Sequence, residues 1–277
     1  MRLTSKASKR LRQTAQGIRA FCRIGKPLWD VVATTCFWLY FTLGFVCIFA
    51  PLYILRLFSP DRETAYQRLN SLFYRGFFQV VRLLTPGLTI RIDPAVYALT
   101  SCVIVSNHLS YLDPLLFISI FEKHKTIVKH SFFHIPVFRS VIKSAGYIPS
   151  SSQGDLKDLT LQQMEAMPDF LASGGNLFVF PEGTMRKDGI TSFHKGAFSI
   201  ARRCQVPLQV VYISNTHRLF PPGRFLFNTC VENRVSVELL GTVETLTAGE
   251  KVSLLYLKDQ VQELMKYRER GTRSCVE

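Results

Sequence analysis

The sequence contains no CxxC pair: its seven cysteines, at 22, 36, 47, 102, 204, 230 and 275, are scattered along the chain. That excludes a zinc ribbon, gives no disulfide framework and points to a reduced interior. Internal repeats and low-complexity tracts are absent as well, so a solenoid or a disordered linker protein is excluded. Acids are scarce, with 20 Asp and Glu against 34 Lys and Arg, a formal net charge of +14. Such an excess suits a polyanionic partner, either nucleic acid or an anionic membrane surface. No nucleic-acid recognition motif is present, and no nucleic-acid partner is expected. What the chain does have is apolar content, 47% of 277 residues, enough for a sizeable core in one large domain or two small ones.

The start of the chain argues for the membrane. Residues 1 to 28 carry eight cations (Arg2, Lys6, Lys9, Arg10, Arg12, Arg19, Arg23, Lys26) and no acid, and residues 31 to 55 then run without a charge. As a helix that run would extend about 37 Å at 1.5 Å per residue, longer than a hydrocarbon core of about 30 Å. Trp29, Trp38, Tyr40 and Tyr53 are suited to anchor it at the interfaces. The run is too long for the core of a signal peptide, and no A-x-A cleavage site follows. Residues 60 to 84 then repeat apolar positions at helical spacing with Arg68, Arg75 and Arg82 among them, which predicts a basic amphipathic helix with Ser59 as its cap and Pro60 in its first turn. That helix can lie in the membrane interface or pack on the domain that follows.

From about Leu88 the pattern changes to short apolar runs alternating with helical stretches. "SCVIVSNH", "GGNLFVFPEG", "VPLQVVYI" and "RVSVELLG" read as strands, and the segments 113 to 122, 134 to 144, 155 to 172 and 194 to 203 as helices. The last of the chain, from Lys251, reads as a charged helix with a frayed tail and no assigned chemistry. The expected fold is therefore α/β, a mixed sheet flanked by helices and preceded by an N-terminal membrane-associated helical hairpin. Residues 1–87 form the basic segment and hairpin, and residues 88–277 the α/β domain.

Ligands of open α/β sheets bind where loops leave the carboxyl ends of strands. Two polar loops do so here, "SNHLSYLDP" and "FPEGTMRKDG". His108 can be neutral at cellular pH and take a proton from an alcohol, and Asp113, five residues on, can fix its tautomer and stabilise the imidazolium. By itself this pair is also compatible with a capped turn. The second loop adds Glu182, Gly183, Thr184, Arg186 and Lys187, groups able to hold a phosphate or a polar headgroup. Ser106 and Ser110 offer a serine nucleophile as an alternative, although neither stands in a GxSxG elbow. His130 and His134 are spaced i, i+4 but lack the glutamate of HExxH, and no metal is expected.

Taken together these blocks resemble the glycerolipid acyltransferase family, which includes the 1-acyl-sn-glycerol-3-phosphate acyltransferases. Asn107, His108 and Asp113 match its NHxxxxD motif. Lys129, Phe133, Pro136 and Gly146 match its second block, and Phe180, Pro181, Glu182, Gly183, Thr184 and Arg186 its FPEG block. "FHKGAF" follows with Phe193, Lys195, Gly196 and Ala197, and Val206 and Pro207 open the last block. The resemblance implies a membrane O-acyltransferase of phospholipid biosynthesis, with His108 as general base and Asp113 its support. Asn107, Lys129, Glu182, Gly183, Thr184, Arg186 and Lys195 are implied in substrate binding. The donor would be acyl-CoA or acyl carrier protein, the acceptor a lysophospholipid, and no cofactor is implied.

Two positions depart from the family. Ser150, Ser151 and Ser152 stand where an arginine is usual, and Met185 delays the basic residue after FPEG by one place. These departures open the way to another acceptor, such as a lyso-ornithine lipid, or to a basic membrane-binding protein without catalysis. A single crossing with the basic N-terminus inside would put the domain on the far side from its donor. The expectation is therefore that the apolar helix dips or tilts, the next helix returns along the interface, and the domain stays on the cytoplasmic face.

Overall fold

The charge-free run folds into one helix, α1 (Gly25–Arg56), long and apolar enough by length and composition to cross a membrane. The computed structural model describes residues 25–151, 154–185, 189–190, 192–247 and 249–273. The N-terminal cations before Lys26 and the end of the C-terminal tail lie outside the described residues. Within α1 the stretch Tyr40–Phe49 is wound as a π-helix, and Pro51, which has no N–H to donate, stands two residues beyond its end.

The second helix, α2 (Arg62–Leu84), starts two residues later than the sequence suggests. Asp61 rather than Ser59 caps it, accepting the Thr64 N–H at 3.2 Å. The two helices form an antiparallel hairpin joined at three levels: Trp29 Nε1 donates to the Leu84 carbonyl at 3.0 Å, Tyr40 Oη to the Phe73 carbonyl at 2.6 Å, and Tyr53 Oη to Asn70 Oδ1 at 2.5 Å. Phe37, Phe41, Phe73 and Phe77 pack edge to face or tilted between these levels.

The remaining chain builds a seven-stranded sheet and its covering helices. In order these are β1 (Leu88–Ile92), α3 (Pro94–Tyr97), β2 (Val103–Ser106), α4 (Leu112–Ile120), β3 (His124–Val128), a 3₁₀ turn at His130–His134, α5 (Pro136–Ser144) and β4 (Ile148–Pro149). Then come a 3₁₀ turn at Gly154–Leu156, α6 (Lys157–Glu165), α7 (Met167–Ala172), β5 (Asn176–Val179), α8 (Gly196–Cys204), β6 (Leu208–Ser214) and α9 (Thr216–Leu219). β7 (Asn233–Val243), the two-residue strands β8 (Leu246–Thr247) and β9 (Glu250–Lys251), and α10 (Leu254–Arg273) complete the chain. The helix expected over 155 to 172 is divided at Ala166, because Pro168 cannot donate the hydrogen bond that would carry one helix through. β1, β3 and β4 lie outside the four strands expected from the sequence.

The strand order is β1-β7-β6-β2-β5-β3-β4. Only the β6/β7 pair is antiparallel, and the other five pairings are parallel, which makes the sheet mixed, as expected. β2 and β5 are buried at every residue, the burial pattern of central strands covered on both faces. One face carries α2, α4 and α5, with Phe77, Val81, Leu116, Phe117, Phe133 and Ile142 in a common core that α1 joins through Phe37. The other face carries α7, α8 and α10, which bury Leu171, Phe198, Leu257, Val261 and Met265.

The hairpin is tied to this body by polar bonds as well. Arg75 donates to the Ser119 carbonyl at 2.8 Å and pairs with Glu122 at 3.1 Å. At the start of α1, Asp30 accepts from the Thr229 N–H and hydroxyl at 2.8 and 2.6 Å, and the Thr34 hydroxyl accepts the Phe227 N–H at 3.0 Å. The start of α1 is thus held on the body and its far end on α2 through Tyr53, while its outer face, including Leu43, Val46, Ile48 and Leu55, stays exposed.

Candidate active site

β2 ends at Ser106, and the chain turns through Asn107 to Tyr111 before α4 begins. Asn107 closes the strand end, its amide donating to the Ile213 carbonyl at 2.9 Å and accepting the Ile213 N–H at 2.7 Å. With both amide atoms on β6, the residue expected to touch substrate acts here as a clamp between two strands.

Asp113 lies in the first turn of α4, where a carboxylate is favoured by the unpaired N–H groups of the helix end. Its side chain is 0% exposed. One oxygen, Oδ2, accepts from the Leu109 N–H at 2.6 Å, the Ser110 N–H at 2.8 Å and His108 Nδ1 at 2.9 Å. The other, Oδ1, accepts the Thr216 hydroxyl at 2.5 Å. A carboxylate can only accept, so Nδ1 of His108 carries the proton and Nε2 presents a lone pair. The ring is 16% exposed, and Phe180 stacks on it at 4.4 Å between centroids.

The serine alternative fails on geometry. Ser110 is fully buried and donates its hydroxyl to the Phe220 carbonyl at 2.8 Å, and buried Ser106 turns its hydroxyl to the Asn107 carbonyl at 3.3 Å.

The second loop arrives from β5. Because Val105 is in register with Val179 on parallel neighbours, Phe180 to Gly183 emerge beside Asn107 and His108. Glu182 is buried and Thr184 exposed. Gly183 has φ +68°, and a Cβ there would stand 3.0 Å from His194 Nε2, so both backbone and space favour glycine. The Pro181 carbonyl accepts the His194 N–H at 2.8 Å, folding the loop back so that Lys195, exposed, precedes α8. Lys129 is exposed just past β3, the neighbour of β5 on the same carboxyl edge. Ser150 follows β4 next to it and accepts the His130 N–H at 3.1 Å. Arg186 lies outside the described residues.

Two groups of the site escape sequence reasoning. Thr216 follows β6 and reaches Asp113 from 103 residues away. His217 beside it is held below the ordinary imidazole range by burial and by Arg218, against the opposing pull of the Asp113 charge. No motif marks either residue. The signal lay only in their position after a strand adjacent to β2.

Thr216 fixes which way the Asp113 carboxylate faces. Thr216→Val keeps the shape but removes the donor, so kcat is expected to fall about tenfold with KM little changed, while Thr216→Ser retains most activity. Steady-state kinetics of the two variants check this; equal losses in both would reduce Thr216 to packing.

An imidazole oriented by a buried carboxylate, with its second nitrogen open and both adjacent serines engaged elsewhere, is an arrangement able to take a proton from a hydroxyl. The model of the acyltransferase family matches residues 72–214, and the chain belongs to that family. It is 34% identical over 125 residues to the chloroplastic 1-acyl-sn-glycerol-3-phosphate acyltransferase BAT2 of Brassica napus, covering 45% of this chain and 36% of that protein. It is 28% identical over 165 residues to a 1-acyl-sn-glycerol-3-phosphate acyltransferase of Borreliella burgdorferi, 58% of this chain and 65% of that one. The chain thus spans little more than a third of the plant relative and under two thirds of the bacterial one. The crystal structure of PlsC, the 1-acyl-sn-glycerophosphate acyltransferase of Thermotoga maritima, superposes with a TM-score of 0.69 at 21% identity, covering 89% of this chain and 97% of that one. That likeness concerns the fold.

Proposed function

We propose that the protein transfers a fatty acyl group from a thioester, acyl-CoA or acyl carrier protein, to the free hydroxyl of 1-acyl-glycerol-3-phosphate, forming phosphatidic acid. The observation that carries this reading is the His108–Asp113 pair, poised at 2.9 Å with Nε2 open, in a chain whose relatives are named for that reaction. His108 Nε2 takes the hydroxyl proton as the oxygen attacks the thioester carbonyl. The tetrahedral intermediate collapses, the C–S bond breaks, and the proton passes to the departing thiolate. Asp113 holds the tautomer and balances the imidazolium charge. Lys129, Lys195 and Arg186, with Glu182, Gly183 and Thr184, are assigned to the acceptor headgroup. No metal or cofactor is assigned a step.

Ser150 supports one alternative. At the position where the family usually has arginine, its hydroxyl is engaged with the His130 backbone, and an acceptor with a less charged headgroup, such as a lyso-ornithine lipid, would need no cation there. For localisation, the hairpin lying along the body supports a membrane-embedded α1 with the domain on the cytoplasmic face.

One experiment addresses both questions. Everted vesicles containing the protein are given membrane-impermeant acyl-CoA or acyl carrier protein outside, with a panel of lysolipids, and products are read by mass spectrometry. Phosphatidic acid formed without permeabilisation is the expected result. Product from another acceptor alone would reassign the substrate, and a requirement for permeabilisation would move the domain to the other face.

A further inference from the structure

Between Glu122 and Asp155 the chain carries no acid, while Lys123, Lys125, Lys129, Arg139 and Lys143 all fall inside that interval. The structure gives this stretch a particular place. β3 delivers it to the carboxyl edge of the sheet, one strand from β5 and two from β2. It then forms the 3₁₀ turn and α5, returning on the sheet face that α2 and, through α2, α1 also cover. Phe133 and Ile142 are buried and moor it to the core.

Four of its large apolar residues, all from the 3₁₀ turn to the start of α5, point outward. Phe132 is 39% exposed, Ile135 44%, Val137 56% and Phe138 49%, and the rings of Phe132 and Phe138 lie 5.8 Å apart in one patch. Exposed Lys129 and Lys143 flank it in the chain. A contiguous exposed apolar patch on a soluble surface marks a contact, and its chemistry says with what. Apolar side chains bordered by cations, in a stretch that itself carries no carboxylate, match a bilayer interface in which the rings enter the acyl boundary and the amines stay at the level of the phosphates.

We propose that the segment from Lys129 to Lys143 is a second membrane-inserting element, separate from the hairpin, that seats the carboxyl edge of the sheet on the bilayer. Its role rests on the acyl-transfer reading: the acceptor's hydroxyl reaches His108 while its acyl chain remains in the lipid. The hairpin holds the protein to the membrane, and this segment turns the mouth of the site toward it. An acidic carrier protein would also be drawn to the cations, but four large exposed apolar side chains in seven consecutive residues favour lipid.

The test uses the full chain and the double variant Phe132→Ser/Phe138→Ser. Acyl-CoA is supplied with either a long-chain acceptor in phosphatidylcholine–phosphatidylglycerol vesicles or a short-chain acceptor monomeric in water. Expected is a loss of about tenfold or more in kcat/KM on vesicles, with a change of less than about twofold on the soluble acceptor. A third arm pairs acyl carrier protein as donor with the soluble acceptor. Unchanged activity on vesicles, equal losses on both acceptors, or a loss confined to the carrier-protein donor would each overturn the proposal. The variant Phe138→Trp adds a readout independent of catalysis, a blue shift of the emission of the new indole on adding vesicles, measured in a Trp29→Phe/Trp38→Phe background. If no preparation transfers acyl groups, the acyl-transfer reading fails while this shift still decides whether the segment enters lipid; no shift refutes insertion.

Discussion

His108→Ala is expected to lower kcat by about 10²-fold to 10⁴-fold, the range in which a positioned general base contributes. The effect should be this large because, among the described residues, neither the neighbouring serines nor His217 offers a ready substitute. Ser106 and Ser110 are buried and engaged. His217 reaches the same region, but Arg218 and burial disfavour its protonated form. Asp113→Asn should be nearly as damaging. The carboxylate accepts on both oxygens, from His108 and two N–H groups on one side and from Thr216 on the other. An amide must turn its NH₂ toward one of those sets, which either reverses the His108 tautomer or breaks the bond to Thr216. Acyl transfer by purified variants, with circular dichroism to confirm folding, measures this. Full activity in His108→Ala would remove the dyad from the mechanism.

The second large effect concerns acid. His124 at the start of β3 is fully buried, with Nδ1 bonded to the Phe121 carbonyl at 2.8 Å and Nε2 to the Tyr147 hydroxyl at 2.5 Å. Burial pushes its pKa down from 6.5 to about 3. Above pH 6.5 the ring is neutral in both folded and unfolded chains and stability does not depend on it. Below that pH the unfolded chain binds a proton that the folded protein refuses, so stability falls as pH falls, until the folded form titrates near pH 3. The slope is about 1.4 kcal/mol per pH unit, or roughly 3 kcal/mol between pH 6 and pH 4.

His124→Gln cannot titrate and should lack this component, although it is less stable at neutral pH. Denaturant unfolding of both proteins across that range in detergent checks the difference in slope, and parallel slopes would refute it. The consequence extends beyond β3. Tyr147 accepts from Asn70 of α2 at 3.0 Å, and Asn70 accepts from Tyr53 of α1 at 2.5 Å. Protonating His124 therefore strains the connection between sheet and hairpin.

β3 also shows why part of the fold is illegible in the sequence. In "HKTIV" the first two residues read as surface, yet His124 and Lys125 are buried. Lys125 is satisfied by Gln163 at 2.7 Å, by Glu63 at 2.9 Å and by the face of Phe170 at 4.6 Å. Those partners come from α6, α2 and α7. Hydrophobic alternation registers only whether a side chain is apolar, and a buried cation becomes tolerable only when partners distant in sequence surround it. The central strands β2 and β5, by contrast, are short unbroken apolar runs whose residues declare their burial directly.

By itself the sequence determined what short-range chemistry determines: the charge-free helix, the central strands, the five-residue spacing that lets Asp113 reach back from the first turn of α4 to His108, and the glycine after Glu182. Each depends on residues close in the chain, where backbone geometry leaves few alternatives. Only the tertiary structure decided that Asn107 is tied to β6, that Thr216 orients Asp113, and that α1 lies along the body instead of leading away from it. Those outcomes follow from strand order and helix packing, in which groups a hundred residues apart meet because the sheet aligns the ends of β2, β5 and β6. Spacing along a chain carries no record of that alignment.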